Sequence, residues 1–386
     1  MPRQALDPRE RHGGRADPSN AGRGQALDRS DADEVGATEG TVSYEYERVS
    51  TPGSGLRLHL NENTAGCSPL VVAALDRVTR HDVANYPDYS GAVDACADWL
   101  GVGPESLLLT NGLDEGILVA AMVSLRGSGD ESPLEAIVVV PAFDMYAACS
   151  SAAGGRVVEI PLGRDFSFPV DDVVAAVNER TRIVWLTNPN NPTGQSIPRE
   201  AIIRIAETAA NALVFLDEAY VDFGGSTLIG DAVLEHLPHV VVGRTFAKAF
   251  GLAGLRAGVV TGSEKTIDRL RGVIPPYSIN VCAATALPAA LGDRDYYNWY
   301  VGEVAQSKSI LYEALTRLRV THWRSDANFV LARFDGRGGR IAVALAERGM
   351  HVRDRSRDPG CADCLRITAG VVSHTRALLA ALEEVL

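Results

Sequence analysis

Lysine is almost absent from this chain: of its 37 basic residues only Lys248, Lys265 and Lys308 are lysines, and 34 are arginines. Any amine chemistry must use one of those three. Long apolar runs are missing too. No stretch approaches the roughly 18 residues that a membrane helix needs, and the first thirty residues hold no apolar core of a leader peptide. We therefore expect no membrane partner and a cytoplasmic location. Positive charge is in deficit, with a formal net charge of −12, and an acidic surface repels a phosphate backbone, so nucleic acid is excluded as an expected partner. A transcription regulator would need a DNA-binding module of about 60 residues, more than the first 45 can supply. Cysteines number six, at 67, 96, 149, 282, 361 and 364. Scattered in this way they read as reduced thiols and not as a disulfide framework. Cys361 and Cys364 form a C-x-x-C pair, but zinc requires a second pair or two histidines and none follows, so no metal is expected.

What remains is ordinary globular material: 46% hydrophobic and 22% charged over 386 residues, enough for two domains. Residues 1–45 are rich in Arg, Asp, Gly and Pro and lack aliphatic periodicity, the composition of a disordered tail. Short apolar runs then begin: LRLHL, LLLT, IVVVP, RVVEIP, RIVWLT, ALVFLDEA, HVVVGRTF and AGVVTG. Helix-period segments at 113–126, 144–153, 170–179, 198–210 and 227–236 separate them. That alternation predicts an α/β domain over 88–285, with a mostly parallel sheet between helices. Beyond Pro288 a long helix over 293–318, the strand-like ANFVLARF, GMHVRDR and CLRITAG, and two more helices predict a smaller α+β domain, which 50–87 is expected to join.

Ligands of open α/β sheets bind beyond the carboxyl ends of the strands, and the residues there are chemically rich. Lys248 follows a strand and sits among Thr, Phe, Ala and Gly, surroundings that lower an amine's pKa and let it form a Schiff base. Lys265 and Lys308 lie in helical contexts that read as solvated faces. Asp217 ends an apolar strand, where a buried carboxylate needs a cation such as the pyridinium nitrogen of pyridoxal phosphate. The turn Asn111-Gly112-Leu113-Asp114 opens a helix and offers backbone donors to a phosphate, with Thr245 and Arg256 supplying the rest. Phe143 is the candidate stacking ring, Asn191 and Tyr220 are candidates for the phenolic oxygen, and Arg366 is the candidate for a substrate carboxylate.

The motifs N-N-P-T-G, D-E-A-Y and R-T-x-x-K-A-F-x-L-A-G-L-R, in this order, resemble the fold-type I aminotransferases. The histidinol-phosphate aminotransferases are the closest pattern. L-N-E-N at 60–63, Y-P-D at 86–88, T-N-G-x-D-E at 110–115, A-N-F-V-L-A-R-F at 327–334 and L-R-I-T at 365–368 extend the likeness over about 56–386. The resemblance implies a large domain with a seven-stranded, mostly parallel sheet, pyridoxal 5′-phosphate as cofactor, and a homodimer with shared active sites. It implies Lys248 as the Schiff-base lysine, Asp217 as the pyridinium partner, and Asn191 and Tyr220 on the phenolic oxygen. Thr245, Arg256, Leu113 and Asp114 would hold the phosphate, with Tyr86 reaching in from the neighbouring subunit. Arg366 would bind the substrate carboxylate, Arg353 its distal phosphate, and Asn328, within A-N-F-V-L-A-R-F, is a further candidate substrate contact. Lys248 would also act as general base at the substrate α-carbon, with glutamate the natural donor. A decarboxylase like those acting on threonine phosphate, built on the same fold, is the alternative reading.

The chain departs from the family at three places. Ala65 stands where a tyrosine is usual, Ala247 precedes the lysine in place of serine, and Phe143 replaces a common tyrosine. Other patterns read as structure. AFGLAGLRAG lacks the spacing of a dinucleotide fingerprint, and His236 and His239 are parted by Pro238 with no acidic partner at ligand spacing.

Overall fold

Among the described residues there are twelve strands, all but β9 arising from the runs named above: β1 (Leu56–Leu58), β2 (Leu107–Asn111), β3 (Glu135–Val140), β4 (Arg156–Pro161), β5 (Thr181–Thr187), β6 (Leu213–Asp217), β7 (Val240–Thr245), β8 (Ala257–Gly262), β9 (Thr321–His322), β10 (Phe329–Arg333), β11 (Met350–Asp354) and β12 (Cys364–Thr368). They are seen in a computed structural model that describes residues 52–127 and 133–386. The expected tail, 1–45, lies outside the described residues. Seven strands form one sheet in the order β2-β8-β7-β6-β5-β3-β4. β7, β6, β5, β3 and β4 run parallel, and β8 is antiparallel to both its neighbours. The sheet is thus mostly parallel and buried on both faces, which is why its strands read as unbroken apolar runs.

Strand alternation sorts those side chains. On β6, Leu213 and Phe215 pack with Trp185, Ile183 and the helix Leu113–Leu125, whereas Val214 and Leu216 pack with Val184, Leu186 and the helix Arg199–Thr208. The parallel register then sets Asp217 beside Thr187 at the carboxyl edge.

Five strands form the second sheet, ordered β1-β11-β12-β10-β9, with β1 parallel to β11. The segment before the large sheet joins it through β1. The core does not stop between the sheets: Leu107, Phe246 and Val259 share one apolar cluster with Val304, Phe329 and Ile367.

Three sequence expectations fail locally. The segment 227–236 holds only a 3-10 turn, Ala232–His236, because the buried Glu218 carboxylate accepts from Thr227 Oγ1 (2.6 Å) and Leu228 N (2.9 Å) and pins the chain to the end of β6. Pro288 is no boundary, since it lies inside the helix Val281–Gly292, and the long helix Arg294–Arg317 starts only after Asp293 caps it.

Lys308 is not on a solvated face. It is buried, its Nζ donates to Phe223 O (3.0 Å) and Ser325 O (2.8 Å), and burial pushes its pKa down to about 8. Lys308→Met keeps the aliphatic stem and strips two buried carbonyls of their donor. We expect a loss of about 1–3 kcal/mol, read as a lower urea midpoint at unchanged m; an unchanged midpoint would show that both carbonyls find other donors.

Candidate active site

A cavity of about 500 Å³ opens beyond the carboxyl edge of the large sheet. Leu113, Asp114, Phe143, Asn191, Asp217, Tyr220, Thr245, Lys248, Arg256, Arg353 and Arg366 all line it. Residues spread over more than 250 positions converge here: most follow or end a strand or open a helix, Arg256 precedes β8, and Arg353 and Arg366 lie within β11 and β12.

At the floor lies Asp217, only 4% exposed. Its Oδ2 accepts from Tyr146 Oη at 2.6 Å and its Oδ1 from Ala219 N at 2.8 Å. Thr187 Oγ1 in turn donates to Tyr146 Oη (3.0 Å), and the tyrosine ring stacks on Trp185. Despite these donors, burial pushes the Asp217 pKa up to about 6. Among the described residues no cationic side chain bonds to this carboxylate, Lys248 acting on it only from a distance, and a protonated ring nitrogen is the charge that would complete it. Tyr146 was not legible as a site residue in the sequence; only its place as the second residue of the helix Met145–Ala152, facing β5 and β6, reveals it.

Lys248 follows β7 and reaches across to the second sheet, where its Nζ donates to Leu60 O at 2.9 Å. Tyr220 is buried, with its ring edge-on to Phe329 and its Oη accepting from Asn61 Nδ2 at 3.1 Å. Asn61 is a second residue given no role in the sequence. It takes a left-handed φ of 56°, exchanges bonds with Thr368 Oγ1, and ties β1 to β12 and to Tyr220. Asn328 does not line the cavity: it is fully buried, and its Nδ2 donates to Asn61 O (3.0 Å), so it holds Asn61 in place and does not face a substrate.

The phosphate end is built around the start of the helix Leu113–Leu125. Gly112 caps it at φ 74°, and a Cβ there would stand 2.6 Å from Arg256 Nη2, so only glycine lets the guanidinium lie against the helix entrance. Arg256 pairs with Asp114 at 2.6 Å. Helix N–H groups, a guanidinium and the Thr245 hydroxyl make this a fit place for a phosphate. Phe143 lies on the wall between these ends, with its ring edge-on to Tyr146.

Asn191 owes its place to the turn after β5. Gly194 has φ 77° and comes so close to Ser325 that a Cβ would clash at 2.1 Å, and its carbonyl accepts from Asp326 N (2.7 Å). Asn191 Oδ1 then accepts from Arg366 Nη1, and Arg366 Nη2 donates to His59 O at 2.6 Å. Burial pushes the Arg366 pKa down to about 10. His59, also buried, is pushed down to about 4 by burial and by the neighbouring Arg57, His351, Arg353 and Arg366, so it is neutral at pH 7. In register, Arg353 on β11 lies opposite Arg366 on β12. Arg355 is buried, lines the cavity and pairs with Asp358 at 2.5 Å. Arg57 lines it too, paired with Glu62.

Four residues singled out in the sequence lie outside this cavity, among them Tyr86, which was expected to reach the phosphate only from a neighbouring subunit. Tyr86 is 77% exposed, stacks on Tyr277 and does not line this cavity. Ala65 is exposed at a turn and also absent from the lining. Cys361 and Cys364 are buried free thiols packed with Phe166 and Leu331. Among the described residues no cluster of three or more His, Cys, Asp or Glu could hold a metal ion, and no helix is long and apolar enough to cross a membrane.

Comparison with known proteins agrees with this geometry. The family pattern described as aminotransferase class I and II matches residues 54–383. A histidinol-phosphate aminotransferase of Dinoroseobacter shibae is 36% identical over 86% of this chain and 93% of its own. A second, from Carboxydothermus hydrogenoformans, is 34% identical over 86% of this chain and 91% of its own. The crystal structure of histidinol-phosphate aminotransferase from Sinorhizobium meliloti in complex with pyridoxal-5′-phosphate superposes with a TM-score of 0.76 at 25% identity, covering 86% of this chain and 90% of the other.

Proposed function

This chain belongs to the class I and II aminotransferases, enzymes of the EC 2.6.1 type dependent on pyridoxal 5′-phosphate, and we propose that it moves an amino group from glutamate to a keto or aldehyde acceptor with an anionic far end. The observation that carries this reading is the buried, cation-deficient Asp217 at the floor of a cavity that also holds Lys248, the Arg256 and helix cradle, and Arg366. Bound there, the cofactor supplies an electron sink for the bonds of the substrate α-carbon.

The chain's own groups do the rest. Lys248 would hold the cofactor covalently, and its Nζ, when free, would take the α-proton and return it. Asp217 keeps a charge opposite the ring nitrogen, with Tyr146 and Ala219 N fixing its two oxygens. Asn191 and Tyr220 address the phenolic oxygen. Asn191 also orients Arg366, whose planar fork suits an α-carboxylate, and Arg353 beside it suits the distal carboxylate of glutamate or a phosphate. The test is a glutamate half-reaction. Arg366→Lys cannot present the fork, and we expect KM for glutamate to rise roughly tenfold to a hundredfold, about 1.5–3 kcal/mol of charge-assisted binding. An unchanged KM would remove Arg366 from substrate recognition.

Tyr86, outside its own chain's cavity, supports a homodimer in which each copy completes the other's phosphate site. Mixing Tyr86→Ala with Lys248→Ala chains is then expected to restore one working site per mixed dimer. Mixed dimers without recovered activity would argue for self-contained sites.

A further inference from the structure

A second pocket, of about 390 Å³, adjoins the first and shares Arg57, Glu62, Ala247, Ala253 and Gly254 with it. Its other walls are Gly55, Leu56, Asn63, Thr64 and Gly251. Small residues leave this space open: a Cβ built on Gly254 would meet nothing within 4 Å, and Ala247 carries no hydroxyl into it. One of the departures noted in the sequence, Ala247, falls in this wall.

Among the described residues Arg57 is the only cation in that wall. Its Nη2 is held by Glu62 Oε1 at 2.5 Å, both side chains are partly exposed (37% and 26%), and its buried Nε has no hydrogen-bond partner. Partly exposed pairs of this kind are weakly held, so an incoming anion can take the guanidinium in a bidentate fork while Glu62 turns to water. The second sheet also aligns Arg57 with the arginines already described. Arg57 is opposite His351 on β11, Arg353 lies two residues further on the same face, and Arg366 lies opposite Arg353. From Arg366 to Arg57 is two strands across and one repeat along, on the order of 12 Å.

We propose that this pocket is an outer compartment of the site, which receives the far end of an elongated amino-group donor or acceptor bearing a terminal anion, and that Arg57 is the residue that recognises it. The proposal rests on the aminotransferase reading, and it assigns an elongated, doubly anionic substrate class to the same site.

The holoenzyme is titrated calorimetrically with 2-amino-7-phosphonoheptanoate and with its short homologue 2-amino-3-phosphonopropionate, as wild type, Arg57→Gln and Gly254→Leu. The long homologue is expected to bind more tightly than the short one to wild type. Arg57→Gln should lower the long-to-short affinity ratio roughly tenfold or more, the loss of one charge-assisted contact. Gly254→Leu, which fills the compartment without altering any charge, should lower it as well. A ratio that neither substitution moves overturns the compartment. Binding is read without turnover, so the two readings fail separately: Arg57-dependent binding in a protein that converts no amino donor refutes the aminotransferase reading alone.

Discussion

Lys248→Ala is expected to abolish amino transfer, to below about one part in 10³ of wild type, because one residue carries both covalent attachment and the α-proton transfer. No substitute is at hand. Lys308 is buried, committed to Phe223 O and Ser325 O, and outside the cavity lining, and Lys265 is exposed on the helix Glu264–Arg271. The visible absorption of lysine-bound cofactor should vanish with the activity, while Arg256, Thr245 and the helix entrance still retain cofactor noncovalently. Full activity in the variant would sink the assignment. The scarcity of lysine sharpens this test, since three candidates reduce to one by position alone.

The reasons some residues were legible and others were not are physical. Unbroken apolar runs mark strands buried on both faces, and residues after such runs must face the edge where ligands bind. Asp217, Asn191, Thr245 and Lys248 follow from that rule, and the structure brings them into one cavity. Tyr146 escaped it because it projects from a helix across the sheet, a contact that needs packing and not periodicity. Arg353 on β11 and Arg355, just past its end, are two residues apart, a period-two signal that both face one side, but nothing local says that this side is the cavity. Arg57 joins them only through the parallel pairing of β1 with β11, nearly 300 residues away in sequence. Asn328 erred in the opposite direction: its motif marks a structural knot at Asn61 more than a ligand contact. Segment 227–236 failed because a buried carboxylate, Glu218, overrode helical periodicity.

Asp217→Asn should leave a folded protein that still binds cofactor yet turns over about 10²–10³-fold more slowly. The amide occupies the same volume and its Oδ1 can still accept from Ala219 N, but its Nδ2 cannot accept from Tyr146 Oη and must donate to it instead, and the neutral side chain cannot hold a positive charge opposite the ring nitrogen. Breaking a buried ion pair costs about 3–5 kcal/mol, and if most of that falls on the reacting complex the rate drops by the stated factor. The same residue gives the cofactor-free protein a distinctive pH dependence. Its folded pKa, about 6, is raised from 3.8 by burial, so the folded state holds a proton that the unfolded chain has lost between those values. Stability from this group is therefore present below about pH 4 and declines as pH rises through 6. Supplying the cation reverses the sign, because an ion pair favours the ionised carboxylate. Urea midpoints of the cofactor-free protein at pH 4.5 and 6.5, taken for wild type and Asp217→Asn, read this as a difference: burial also raises the Glu218 pKa to about 7 and gives both proteins a decline, and wild type should decline further than the variant. An Asn variant with wild-type turnover, or with the same pH-dependent decline, would place the ring-nitrogen partner elsewhere.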